Sequence, residues 1–102
     1  MVVKISPPNE RNNPAGKLAD AELHFSDGPL AGLKLLGFAI WDRRGGDGRN
    51  VTFPARTYSV NGERRSFALL RAISDNAAND RLRELILQAF AEYEDQVAAA
   101  AQ

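Results

Sequence analysis

The chain has 102 residues, 44% of them apolar, which suits one domain with a modest core. Thirteen Lys and Arg cancel thirteen Asp and Glu, so bulk charge argues neither for nor against an anionic partner. With no cysteine, disulfides and thiolate metal sites are excluded.

The opening residues MVVKISPPNE hold no apolar stretch of signal-peptide length. No apolar run approaches the roughly 20 residues that span a bilayer. A cytoplasmic protein without a membrane partner is the expectation, and the lack of cysteine suits a reducing compartment.

Residues 2–6 are short, β-branched and apolar, and Pro7-Pro8 stops them, which reads as an edge strand. Polar residues with Asn12-Asn13-Pro14 and Gly16 then make a loop. From 17 to 26, Ala19, Ala21, Leu23 and Phe25 alternate with Asp20, Glu22 and His24, the period of a half-buried strand. Asp27-Gly28-Pro29 turns the chain.

The next strand, 33–42, is apolar on both sides, with Leu35, Ala39 and Trp41 on one and Leu36, Phe38 and Ile40 on the other. Such a strand is central, with a helix over one face and a partner over the other. Gly37 in its middle signals a bulge or a close backbone approach. The segment RRGGDGRN, residues 43–50, is a glycine-rich hairpin tip, and a short strand returns to 53 before Pro54 ends its ladder. Asn61-Gly62 between residues 57–60 and 64–70 marks a second hairpin.

From about Asn76 the period changes. Leu82, Leu85, Ile86, Ala89, Phe90, Tyr93 and Val97 form one helical stripe, and Arg81, Glu84, Gln88, Glu92 and Asp95 form the opposite, solvated face. Asn76, Asn79 or Asp80 is the expected cap, and the alanines after 97 are expected to fray.

The predicted fold is α+β: a small antiparallel sheet of about five strands in hairpins, with one C-terminal amphipathic helix on one face. It is a single domain over 1–102, with an edge strand and loop in 1–16, the sheet in 17–72 and the helix in 76–98. One helix covers one side of a sheet, and a chain this short buries only roughly two-thirds of its unfolded surface. A homodimer burying Leu36, Phe38, Ile40 and Trp41 is therefore expected.

Charge is unevenly spread. From 41 to 72, Arg43, Arg44, Arg49, Arg56, Arg64, Arg65 and Arg71 face only Asp42, Asp47 and Glu63, a balance of +4. From 73 onward, Arg81 and Arg83 meet six acidic residues, a balance of −4. This means either an anion-binding face or two halves that attract each other. Arginine forks on glycine-rich turns suit phosphate oxygens, and two hairpin tips on one sheet edge would merge their arginines into one patch. Tyr58 and Trp41 are candidates for stacking on bases, with burial favoured for Trp41 by its apolar neighbours.

Catalytic signatures are missing. His24 with Asp20 and Glu22 has the composition of a metal site, but plain alternation produces the same set, so no metal or cofactor is expected. No serine occupies a G-x-S-x-G elbow, and the Gly45-Gly46-Asp47-Gly48 loop lacks the residues of a phosphate-cradling motif. Neither enzymatic activity nor a small-molecule substrate is expected.

The segments KLADAELHF, LAGLKLLGFAIWD, GRNVTFPARTYSVNGERRSFALLRAI and DRLRELILQAFAEYE, in that order, resemble the stage V sporulation protein G family over most of the chain. The matching positions are 19–25, 33–40, 51–56, 62–65 and 82–93. The tip RRGGDGRN is more basic than the family's turn, 67–72 lack its His-Pro, and the acidic, alanine-rich tail differs from its ending. The resemblance implies a dimer formed through the sheet and regulatory binding of DNA and RNA. It places that binding at Arg56, Arg64 and Arg65, and more loosely at Arg71 and Arg81; Arg43, Arg44 and Arg49 join them from the charge pattern. The alternative class is a protein-interaction or scaffold module without nucleic acid.

Overall fold

Residues 1–8, 15–42 and 48–100 are described by the computed structural model. Seven elements follow one another: β1 Val2–Ser6, β2 Lys17–His24, β3 Lys34–Asp42, β4 Arg49–Thr52, β5 Ala55–Val60, β6 Glu63–Ala68 and α1 Ala77–Ala100. The fold is α+β, with every strand pair antiparallel. The six strands do not make one sheet. β1 to β4 form a four-stranded sheet in chain order, and β5 and β6 form a separate two-stranded arm.

β1 lies at the sheet edge and β3 is an inner strand, as their patterns predict. One face of the sheet carries the core. Ala19, Ala21 and Leu23 from β2, Phe38 and Ile40 from β3, and Val51 from β4 pack with Ile86 and Phe90 of α1. The small Ala19 and Ala21 leave room for those larger helix side chains, so alternation on β2 and the helical stripe meet in one layer.

The two-sided reading of β3 needs correction. Ala21 pairs with Phe38 and Leu23 pairs with Leu35, so between them Glu22 of β2 faces two residues of β3, Leu36 and Gly37. This bulge lies at Gly37, whose φ is +109°. The extra residue shifts the alternation by one. Leu35 therefore joins Phe38 and Ile40 toward the helix rather than sharing a face with Ala39 and Trp41.

What the helix leaves uncovered is largely polar: Lys4, Asp20, Glu22, His24, Lys34 and Thr52, beside Ala39 and Trp41. Lys17 pairs with Asp20 at 2.6 Å and Lys34 with Glu22 at 3.6 Å across it. The Trp41 indole N–H donates to Thr52 Oγ1 at 2.8 Å. Phe38 and Ile40, at 1% and 0% exposure, are already consumed by the chain's own core and offer no surface to a second copy. Of the four residues expected at a dimer interface, only Leu36 is exposed, at 54%, with Trp41 partly so.

α1 starts one residue beyond the predicted position; Asn76, one of the three predicted caps, precedes it and its carbonyl accepts the Asp80 N–H at 3.1 Å, while the side-chain bond at this end comes from Asp75. Asp75 Oδ1 accepts the Ala77 N–H at 2.9 Å, the bond an N-cap carboxylate makes to the first turn. The helix continues without a break through Ala100, past the expected fraying point. Among the described residues no helix is long and apolar enough to cross a membrane.

Candidate nucleic-acid interface

Asn61 and Gly62 both take positive φ, +52° and +84°, the conformation of a type I′ turn whose twist matches two antiparallel strands. That turn sets the register of the arm: Arg56 opposite Phe67, Tyr58 opposite Arg65, Ser59 opposite Arg64 and Val60 opposite Glu63. Directly opposed residues share a face, so the arm has two unlike sides. One carries Arg56, Tyr58, Val60, Glu63, Arg65 and Phe67. The other carries small and polar residues with Arg64.

No residue of β5 or β6 is buried. The arm joins the body at Pro54, whose carbonyl accepts the Leu69 N–H at 2.9 Å in continuation of the β5–β6 register. Proline has no N–H to donate, and it separates this ladder from that of β4. The radius of gyration is 15.3 Å, against about 13 Å for a compact chain of this length.

On the first side the rings of Tyr58 and Phe67 meet edge to face, with centroids 5.9 Å apart. The Arg71 guanidinium lies over Phe67 at 5.5 Å, held by its Nε–H donating to the Ala68 carbonyl at 2.9 Å. Arg65 makes an exposed ion pair with Glu63 at 3.2 Å, of a kind worth well under about 1 kcal/mol. Among the described residues no ion pair engages Arg56 or Arg64.

The remaining predicted arginines divide differently. Arg49 is drawn onto α1, with Glu94 at 3.4 Å, Asp42 at 3.6 Å and the Phe90 ring at 5.9 Å. Here the basic middle and the acidic tail do attract each other. Arg81 sits on exposed helix beside Glu84, Leu85 and Gln88. Arg83, tied to Asp80 at 2.9 Å, covers Phe53 at 5.6 Å near the root of the arm. Arg43 and Arg44 lie outside the described residues.

Of the arginines expected in one merged patch, Arg49 is thus engaged by α1 and Asp42 rather than by the arm. Glu94, which holds Arg49, is about 16 Å along α1 from Arg83 at 1.5 Å per residue. Arg64 and Arg65, neighbours in sequence, point to opposite sides of the arm. What comes together is Arg56, Arg65 and Arg71 around Tyr58 and Phe67. Phe67 was not singled out by sequence, although the Asn-Gly register alone places it opposite Arg56.

On the outer sheet face, His24 Nε2 and Glu22 Oε1 are 2.6 Å apart. That bond, helped by Lys34, holds the Glu22 carboxyl below its ordinary range, against a smaller opposing effect of desolvation. Among the described residues no three His, Asp or Glu side chains are grouped to hold a metal ion. A groove of about 320 Å³ runs between β1 and α1, lined by Val3, Ile5, Ala89 and Tyr93 among others. No family model, no curated protein and no solved structure matches the chain.

Proposed function

We propose that the chain is a cytoplasmic, homodimeric regulator that binds DNA or RNA, similar to the stage V sporulation protein G family, and that it has no catalytic role. The arm is its contact element, and Arg56, Arg64 and Arg65 grip the phosphate backbone. A single observation carries this reading. The chain projects a hairpin without one buried residue and loads it with three arginines, of which only Arg65 has an acidic partner among the described residues. Folding leaves these charges hydrated and accessible, which is what counterion-release binding requires. Arg49 and Arg83 lie off the arm, laid over the Phe90 and Phe53 rings, and contribute little.

The test is a titration of labelled DNA and RNA at several salt concentrations. Binding should weaken steeply with salt. The triple change Arg56→Ala/Arg64→Ala/Arg65→Ala should lower the logarithmic salt slope by about 0.7–0.9 for each phosphate that is no longer neutralised. Arg83→Ala should leave it unchanged. Equal binding by wild type and triple variant would remove the arm from the mechanism. Light scattering at micromolar concentration tests the dimer, and a monomer mass would end that part of the proposal.

A second reading, an interaction module, draws on β1. Among the described residues no strand pairs with its outer edge, and the β1–α1 groove lies beside it, a geometry suited to an added peptide strand.

A further inference from the structure

Tyr58 and Phe67 are 41% and 38% exposed and sit on the middle and root rungs of the arm's cationic side. Each has an arginine directly across the ladder, Arg65 for Tyr58 and Arg56 for Phe67, and Arg71 lies against Phe67 as well. We propose that this side of the arm is a platform for single-stranded nucleic acid, with bases stacking on the two rings while Arg56, Arg65 and Arg71 hold the adjoining phosphates. The proposal rests on the arm being a nucleic-acid contact and adds the class of strand it takes.

The reasoning is geometric. Arg71 lies over Phe67 and the rings meet edge to face, so a base stacks on the part of each ring that stays exposed, and a guanidinium beside it is where the backbone of that nucleotide must pass. Bases inside a duplex are already stacked on each other, and reaching the rings would require unstacking them. A strand whose bases are free meets no such cost. The other side of the arm has no ring, so Arg64 can add only charge. An acidic protein segment would satisfy the arginines but leave the rings unused.

The same pair of rings also holds the hairpin together, as cross-strand aromatic pairs do. The experiment separates the two roles. The full chain is titrated by fluorescence anisotropy against labelled oligothymidylate, an abasic strand of equal length and charge, and a hairpin duplex. It is repeated with Tyr58→Leu/Phe67→Leu, which keeps apolar packing and removes both π-faces. Wild type should bind oligothymidylate at least about tenfold more tightly than the abasic strand, given the usual strength of base–aromatic stacking. It should also prefer the single strand to the duplex. The leucine variant should lose the preference for bases and keep its affinity for the abasic strand.

Equal wild-type affinity for the abasic strand and oligothymidylate overturns the stacking platform but leaves phosphate binding by the arm intact. Stronger binding to the duplex also overturns it. Absence of binding to all three at low salt removes this inference and the broader reading together. If the leucine variant loses the hairpin, seen in backbone NMR shifts of residues 55–68, the wild-type comparison with the abasic strand decides alone.

Discussion

A Cβ placed on Gly37 would lie 2.8 Å from the Cβ of Pro54, closer than two such carbons approach in folded proteins. Gly37 is the bulge of β3 and Pro54 is the root of the arm. The sheet's irregularity and the arm's departure are thus packed against each other. Gly37→Ala would have to move proline backbone and adopt φ near +109°, a conformation side chains avoid. The expected loss is about 2–4 kcal/mol, read as a lower urea midpoint with an unchanged slope. A midpoint matching wild type would mean that the two segments do not touch.

The arm should be the least protected β structure in the chain. A two-stranded hairpin with no buried face is marginal alone, and local opening is cheapest where little apolar packing has to be given up. Hydrogen exchange followed by mass spectrometry should show amides of 55–68 exchanging at least about tenfold faster than those of β2 and β3. Uniform protection would indicate that another surface covers the arm in solution.

Core and cap should separate cleanly on α1. Ile86 is fully buried among Leu, Phe and Val side chains, so Ile86→Ala should cost about 2–5 kcal/mol in denaturant unfolding. Asp75→Ala should cost about 1 kcal/mol by removing one capping bond, while Asn76→Ala should cost nearly nothing.

The Glu22–His24 contact makes a prediction about pH. A carboxyl whose folded value is depressed contributes stability above its ordinary titration range, and that contribution disappears as pH falls through the depressed value. Carboxyl NMR should show Glu22 titrating below an ordinary glutamate. His24→Ala should move its midpoint upward, since the ring is the largest cause of the shift. The stability difference between wild type and Glu22→Gln should be constant at neutral pH and shrink in acid. An unmoved midpoint in His24→Ala would assign the shift to Lys34 instead.

Much of the architecture was legible in the chain itself. Alternation at Ala19, Ala21 and Leu23, the helical stripe through Ile86 and Phe90, and the Asn61-Gly62 turn all became the elements they predict. Each of these signals is local: side-chain period and turn sterics depend on residues a few positions apart. The side-chain bond from Asp75 was missed because several neighbouring Asn and Asp residues serve equally well until one bond chooses among them.

The tertiary structure decided the face of β3 that is buried and the arginines that remain accessible. Alternation places Leu35 opposite Phe38, and only the bulge at Gly37, packed on Pro54 from a later segment, turns both toward the helix. Arg49 and Arg56 are alike in sequence terms. One is neutralised by Glu94, 45 positions away, and the other stands on an arm that the body does not cover. Contacts between distant segments arise from how the elements pack, and a single residue of register is enough to exchange the inside of a strand for its outside.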